Sequence, residues 1–310
     1  MAGDYTLEER AVRVRLDTLA FQAGPQPWRL TAPADLRIAR DGLQLDSVSL
    51  LRNGGGSLRL AGSLPWRPDS APDSLRLPAD FVMEAHALPV GEFLRLAQSD
   101  TALGGVVDGR VTLSGTAREP RLDGRLSVQQ LRYQASTLDT VNVQISYAAR
   151  SLETHVRAWK DGDQILVGDG TVPVDFALAS VTERRLDQPL QLRMDVTNLP
   201  AGLALAFVGG FRDVQGHLDG RILVSGTTRQ PRLGGALNLQ NAAATWDALG
   251  VRYRQAEGQF QMAGPDVVAV KSRLVTRNGS ATVDGTITFK PASDPELSLD
   301  LHAQNFQASR

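Results

Sequence analysis

The sequence predicts an all-β fold built from long repeating units, with occasional short helices. Three observations carry that expectation. Residues 108–128 (DGRVTLSGTAREPRLDGRLSV) recur as residues 219–239 (DGRILVSGTTRQPRLGGALNL), 111 residues further on. Within both copies apolar and polar residues alternate, which puts the apolar side chains on one face of a strand. Glycine-rich turn signals separate the alternating runs.

The alternation continues along the chain. Val107, Gly109, Val111, Leu113 and Gly115 form the first run, and Leu122, Gly124, Leu126 and Val128 the next. Val141, Val143, Ile145 and Tyr147 follow, then Leu190, Leu192, Met194 and Val196, then Ala281, Val283, Gly285, Ile287 and Phe289. RNGGG at Arg52, KDGD at Lys160 and RNGS at Arg277 suit hairpin turns. Leu88-Pro89 and Leu199-Pro200 each precede an apolar segment with helical spacing, VGEFLRLAQ and AGLALAFVGG. PWRPDSAPDS, residues 65–74, reads as a linker.

The repeat divides the chain. Residues 1–78 hold a partial unit and linker, 79–189 the first full unit, 190–296 the second, and 297–310 the start of a truncated third. The last assignment rests on LDLHAQNFQA from Leu299, which parallels LRMDVTNLPA from Leu192. Stacked repeats of this kind make elongated structures in which each unit covers its neighbour.

Composition narrows the function classes. Hydrophobic residues at 42% and charged residues at 22% belong to a folded chain. The net charge is −1 with no basic stripe, which argues against nucleic acid as a partner. Cysteine is absent, so disulfides and thiolate metal sites are excluded. MAGDYTLEER is not a signal peptide, and the apolar run Leu203–Phe211 is too short to span a bilayer. With its pattern cut off at the C-terminus, the chain reads as an internal piece of a longer protein.

Nothing in the chain assembles a catalytic or metal-binding motif. His86, His155, His217 and His302 are far apart and lack ligand spacing. VGDGTV at Val167 resembles a phosphate loop only superficially and is expected to be a β-turn. Asn278-Gly279-Ser280 matches a glycosylation acceptor but is expected to be a hairpin. Asp108, Asp123, Asp219 and Asp284 each precede glycine, and turn formation is the simpler reading than paired-carboxylate catalysis. The expectation is a protein that is not an enzyme and needs no cofactor.

The apolar stripe leaves two solutions open. A sandwich or barrel would bury it as an ordinary core. An open, bent sheet would leave an apolar trough, and apolar surface of that extent marks a binding face. A closed core implies a structural or adhesive β-repeat protein. A polysaccharide-acting enzyme is a further alternative, but it would need an aromatic platform, and aromatic residues are only 5% of the chain.

The cadence GRVTLSGTAREPRLDGRLSV, repeated as GRILVSGTTRQPRLGGALNL and followed by TRNGSATVDGTITF, resembles the repeat region of TamB and AsmA-like proteins. The resemblance covers most of the chain and is weakest over residues 1–30 and 65–80. It implies an elongated β-taco: a U-shaped, mostly antiparallel sheet with an apolar groove. It implies a periplasmic, bridge-like lipid transfer protein in envelope biogenesis, carrying phospholipid or another acyl-chain lipid between inner and outer membranes. The full-length protein would be anchored in the inner membrane and meet an Omp85-type outer-membrane partner. The groove would be lined by Val111, Leu113, Leu122, Leu126, Val128, Val143, Ile145, Leu192, Ile222, Val224, Leu233, Leu237, Leu239, Val283, Ile287 and Phe289. A truncated groove has open sheet edges, so self-association is a further expectation.

Overall fold

The structure, a computed structural model, describes residues 2–8, 11–22, 26–39, 42–65, 76–91, 103–204, 211–247, 251–264, 266–275, 279–288 and 296–305. Strands dominate. They are β1 (Ala2–Glu8), β2 (Ala11–Thr18), β3 (Ala20–Gln22), β4 (Pro27–Leu30), β5 (Ala34–Ala39), β6 (Gly42–Arg52) and β7 (Ser57–Pro65). Then come β8 (Asp80–Pro89), β9 (Gly104–Gly115), β10 (Pro120–Tyr133), β11 (Ser136–Ala148), β12 (Ser151–Lys160) and β13 (Asp163–Pro173). After β14 (Gln191–Pro200) stands one short helix, α1 (Ala201–Ala204). The rest are β15 (Phe211–Gly226), β16 (Pro231–Trp246), β17 (Val251–Met262), β18 (Val267–Val275), β19 (Ser280–Thr288) and β20 (Glu296–Gln304).

All pairings are antiparallel, and from β5 onward each strand pairs with the next in sequence. At the start β1 pairs β2 and β2 pairs β5, while the β3–β4 hairpin joins the far half of β6. Short connections explain the order, because adjacent antiparallel strands need only a hairpin. The sheet does not close into a barrel: among the described residues β1 and β20 do not pair.

Turn chemistry works where expected at two sites. Asp161 and Gly162 both have positive φ (54° and 89°), the type I′ requirement, and join β12 to β13. Gly54, Gly55 and Gly56, all at positive φ, turn β6 into β7. Arg277 and Asn278 of RNGS and the segment 66–74 lie outside the described residues; Gly279 and Ser280 lead into β19. Of the two helical segments, the second begins as α1 and the first begins helically at Val90 and Gly91, the remainder of both lying outside the described residues. Among those residues no helix is long and apolar enough to cross a membrane.

Features 111 residues apart coincide in detail. The β8–β9 register shifts between Ala85 and Leu88, and the β14–β15 register between Val196 and Leu199. Ala87 (φ 50°) and Asn198 (φ 54°) are the left-handed residues of these two bulges. Gln130 and Asn241, Gly105 and Gly216, and Gly115 and Gly226 are also positive-φ pairs. Thr116 and Thr227 each cap the following turn by accepting the N–H of Glu119 or Gln230. Six strands, β8–β13, fall within residues 79–189, and six more, β14–β19, within 190–296.

Candidate functional site on the apolar face

Register assigns every strand residue to a face, because directly opposed residues in an antiparallel pair point the same way. One row crosses every strand from β8 to β20: Leu88, Val107, Val128, Val141, Ala158, Leu166, Val196, Gly220, Leu237, Phe260, Val270, Gly285 and Leu299. Each member is apolar or glycine. A neighbouring row runs Met83, Val111, Gly124, Ile145, Thr154, Gly170, Leu192, Val224 and Leu233. Fifteen of the sixteen residues expected to line a groove share this face; Phe289 lies outside the described residues. Met194 of the alternating run Leu190–Val196 belongs to it as well, as do Val156, Leu166, Phe260 and Val270, which alternate in the same way but are not among the expected lining residues.

The burial of this face is its distinctive property. Val111, Leu113, Leu122, Leu126, Val128, Val143, Ile145, Leu192, Ile222, Val224, Leu233, Leu237, Leu239, Val283 and Ile287 are all half-buried, none of them sealed. The molecule exposes 18732 Å², against about 12,600 Å² for a compact chain of its 33.4 kDa mass. Among the described residues no large side chain falls below 2% exposure.

Buried side chains gather into two clusters, the second toward strand ends, and Val107, Val196 and Val270 on the apolar face are buried as well. Trp28, Ala34, Leu45, Val48, Leu50, Ala85 and Leu88 make one. Leu138, Ala158, Ile165 and Leu203 make the other, with Leu131, Tyr133, Val141, Leu166 and Leu199 packed around it. Here the sheet is strongly bent. A Cβ added at Gly202 would lie 2.3 Å from Ser136 Oγ of β11 and 3.5 Å from the carbonyl oxygen of Val214 of β15. In a flat sheet those two strands, four ladders apart, would be separated by about 19 Å.

At the opposite strand ends residues 174–190 form a strap. The Leu178 N–H bonds the Ala117 carbonyl (2.8 Å) and the Phe176 N–H bonds the Tyr147 hydroxyl (2.8 Å). The rings of Phe176 and Tyr147 lie 4.8 Å apart. Asp175 is buried, accepts the Ala177 N–H at 2.9 Å and pairs with Arg150 at 3.2 Å. Tyr147 is on the apolar face, opposite Leu122 and Leu152, so the strap covers that end of it. Local sequence gives no hint of this, since Ala117, Tyr147 and Arg150 all lie upstream on other hairpins.

Two expectations are corrected. VGDGTV is no turn but the interior of β13, paired on both sides. Gly168 and Gly170 sit on the apolar face, where a Cβ at Gly170 would lie 2.3 Å from Leu192 Cδ2. Their smallness makes room for the neighbouring side chain, whereas a turn would need their backbone freedom. Asp108, Asp123, Asp219 and Asp284 are likewise in strand interiors, not turns. Asp108 accepts the N–H of Ala87 (3.1 Å) and Asp219 that of Asn198 (2.8 Å), so both serve the bulges.

The other face is polar and laced with ion pairs, most of them cross-strand. Glu84 joins Arg110 (2.5 Å) and Arg59 (3.3 Å), and Asp195 joins Arg193 (2.6 Å) and Arg221. His155 and Arg157 both bond Asp169, at 2.7 and 2.9 Å. Hydrogen bonds from His155, then Arg157, hold the Asp169 carboxyl below its ordinary value; Arg193, then Arg221, do the same for Asp195. A depression of about 440 Å³ on this face is lined by Arg110, Thr112, Asp123, Arg125, Gln144, Ser146 and His155. His86 contacts Asp108 at 2.6 Å and His217 lies 3.9 Å from Asp219. Among the described residues no three potential metal ligands gather.

Comparison with family models, curated proteins and solved structures finds no match to this chain.

Proposed function

We propose that the chain is a segment of a bridge-like lipid transfer protein, whose apolar face holds acyl chains while headgroups stay at the polar margin. The reading includes an elongated β-taco of 111-residue units, phospholipid as cargo and a periplasmic setting; cargo, setting and an Omp85-type partner follow from the TamB and AsmA-like resemblance alone. One observation carries it: an apolar row continues across every strand from β8 to β20, while the fifteen named lining residues stay half-buried. Water is a poor occupant of such a surface. A sixteen-carbon chain with half its methylenes covered would gain roughly 6 kcal/mol without any specific contact. Uniform lining suits movement, because the chain meets no deep well along its path.

The test is Leu239→Glu. Leu239 lies mid-face between Leu218 and Gly258. An open face lets water hydrate the new carboxylate in the free protein, so the melting temperature should move little while co-purified lipid is lost. In a closed core the same change would cost about 3 kcal/mol or more, and the melt would collapse. Native mass spectrometry and a thermal melt on one sample separate the cases. A collapsed melt, or unchanged lipid, sinks the reading.

A further inference from the structure

The strap end of the apolar face carries charge as well as apolar surface. A row of that face, Phe81, Leu113, Leu122, Tyr147, Leu152 and Val172, runs beside the strap. At the β9–β10 and β11–β12 turns lies a depression of about 650 Å³, whose lining includes Thr116, Arg118, Glu119, Arg121, Tyr147 and Arg150. That volume is in the range of small-ligand sites. Arg118 and Arg150 also line a second depression of about 460 Å³ between these turns and the strap, together with Asp175 and Glu183.

The cations here are not all balanced. Arg150 pairs with Asp175 at 3.2 Å, but among the described residues the guanidinium groups of Arg118 and Arg121 have neither ion pair nor hydrogen bond. In the second copy of the turn Arg229 stands where Arg118 does, and it is bound to Glu183 at 2.7 Å. Among the described residues lining the larger depression, Glu119 is the one acid. Tyr147 is 3% exposed, and its hydroxyl accepts the Phe176 N–H at 2.8 Å, which leaves the hydroxyl proton to donate. Ala149 (φ 49°) and Arg150 (φ 63°) hold the β11–β12 turn in the left-handed region without a glycine. Backbone strain of this kind collects at ligand clamps.

We propose that the larger depression binds a phosphate group, held by Arg118 and Arg121 with Arg150 and the Tyr147 hydroxyl as further donors. Planar guanidinium forks match phosphate oxygens two at a time, and three of them exceed what Glu119 neutralises. Two sources share this chemistry. One is a soluble phosphate ester. The other is the headgroup of a lipid whose acyl chains lie along the row through Leu122 and Tyr147. The lipid source rests on the reading of the apolar face as a lipid surface; the phosphate site itself does not.

The test is titration calorimetry on the delipidated full chain, first with glycerol phosphate, which should bind saturably. Arg118→Gln and Arg121→Gln, both at exposed positions, should each weaken binding about tenfold. The double variant should abolish it with the melting temperature unchanged. Arg229→Gln removes a guanidinium already bound to an acid and should bind as the wild type does. Dihexanoyl phosphatidic acid adds two short chains to the same head and separates the sources. Binding about tenfold tighter than glycerol phosphate, and lost in the double variant, assigns the site to a lipid headgroup. Equal binding of the two probes assigns it to a soluble ester. The conduit reading is tested at Leu239 and this site at Arg118 and Arg121, so either can fail alone. Saturable binding of neither probe, or a double variant that binds like wild type, overturns the proposal. A loss in Arg229→Gln as large as that in Arg118→Gln overturns it too, because net charge alone would then explain the binding.

Discussion

The carboxylate of Asp219 on β15 accepts the backbone N–H of Asn198 on β14 at 2.8 Å, at the point where the register between the strands shifts. A bulge frees one N–H from the ladder, and this side chain supplies the missing acceptor. Asp108 does the same for Ala87 in the preceding copy. Asp219→Ala should therefore cost about 1–2 kcal/mol in urea unfolding, and Asp219→Asn, which keeps an acceptor oxygen, should cost less. Equal stability of the two variants would mean that water serves the bulge equally well.

This pair also shows what local sequence could and could not tell. Alternation around Val111 and Ile222 was enough to define one apolar face, because a period of two depends only on neighbouring residues. Asp-Gly was ambiguous. Asp161-Gly162 is a hairpin turn with two positive φ angles, while Asp219-Gly220 is strand interior serving a bulge 21 residues upstream. The dipeptide is the same; the deciding partner lies on another strand. The bend at Gly202 and the strap around Asp175 were hidden for the same reason, since their contacts join separate hairpins.

Acid should weaken the sheet through Asp195 and Asp169. Both carboxyls are held below 3.8 by hydrogen bonds, Asp195 from Arg193 and Arg221, Asp169 from His155 and Arg157. A carboxyl lowered in the folded state adds stability above its unfolded value, and that stability is lost as pH falls through the folded value. Urea midpoints should hold level from pH 7 to 5 and decline below about pH 4. In the double variant Asp195→Asn, Asp169→Asn the decline should be shallower. The pairs are solvent-exposed, so the effect is modest and shrinks further in high salt. A decline just as steep in the double variant would assign acid sensitivity to other carboxylates.

Asp175 anchors the strap with a side chain that is only 5% exposed. Asp175→Ala leaves the Ala177 N–H without its acceptor and Arg150 without its partner, a loss of about 1–3 kcal/mol. The effect should be local. Hydrogen exchange should quicken across residues 174–190 and at the Phe176 amide, while β16–β19 keep their protection. Faster exchange throughout the sheet would show that the strap stabilises the whole fold.

A change of volume tests the apolar face without adding charge. Val143 lies between Leu126 and Val156, and all three are half-buried. In a sealed core, Val143→Phe would force neighbours off their rotamers at a cost of about 1–3 kcal/mol. On an open face the larger ring can project into the space above the sheet, so the melting temperature should stay near that of the wild type. The ring would then occupy space otherwise open to an acyl chain. Binding of a fluorescent fatty acid should fall several-fold, while Gln144→Phe, on the opposite face between Arg125 and His155, should leave it unchanged. A large drop in melting temperature for Val143→Phe alone would mean that this face is packed against protein, and a drop in binding for both variants would mean that the fatty acid does not distinguish the two faces.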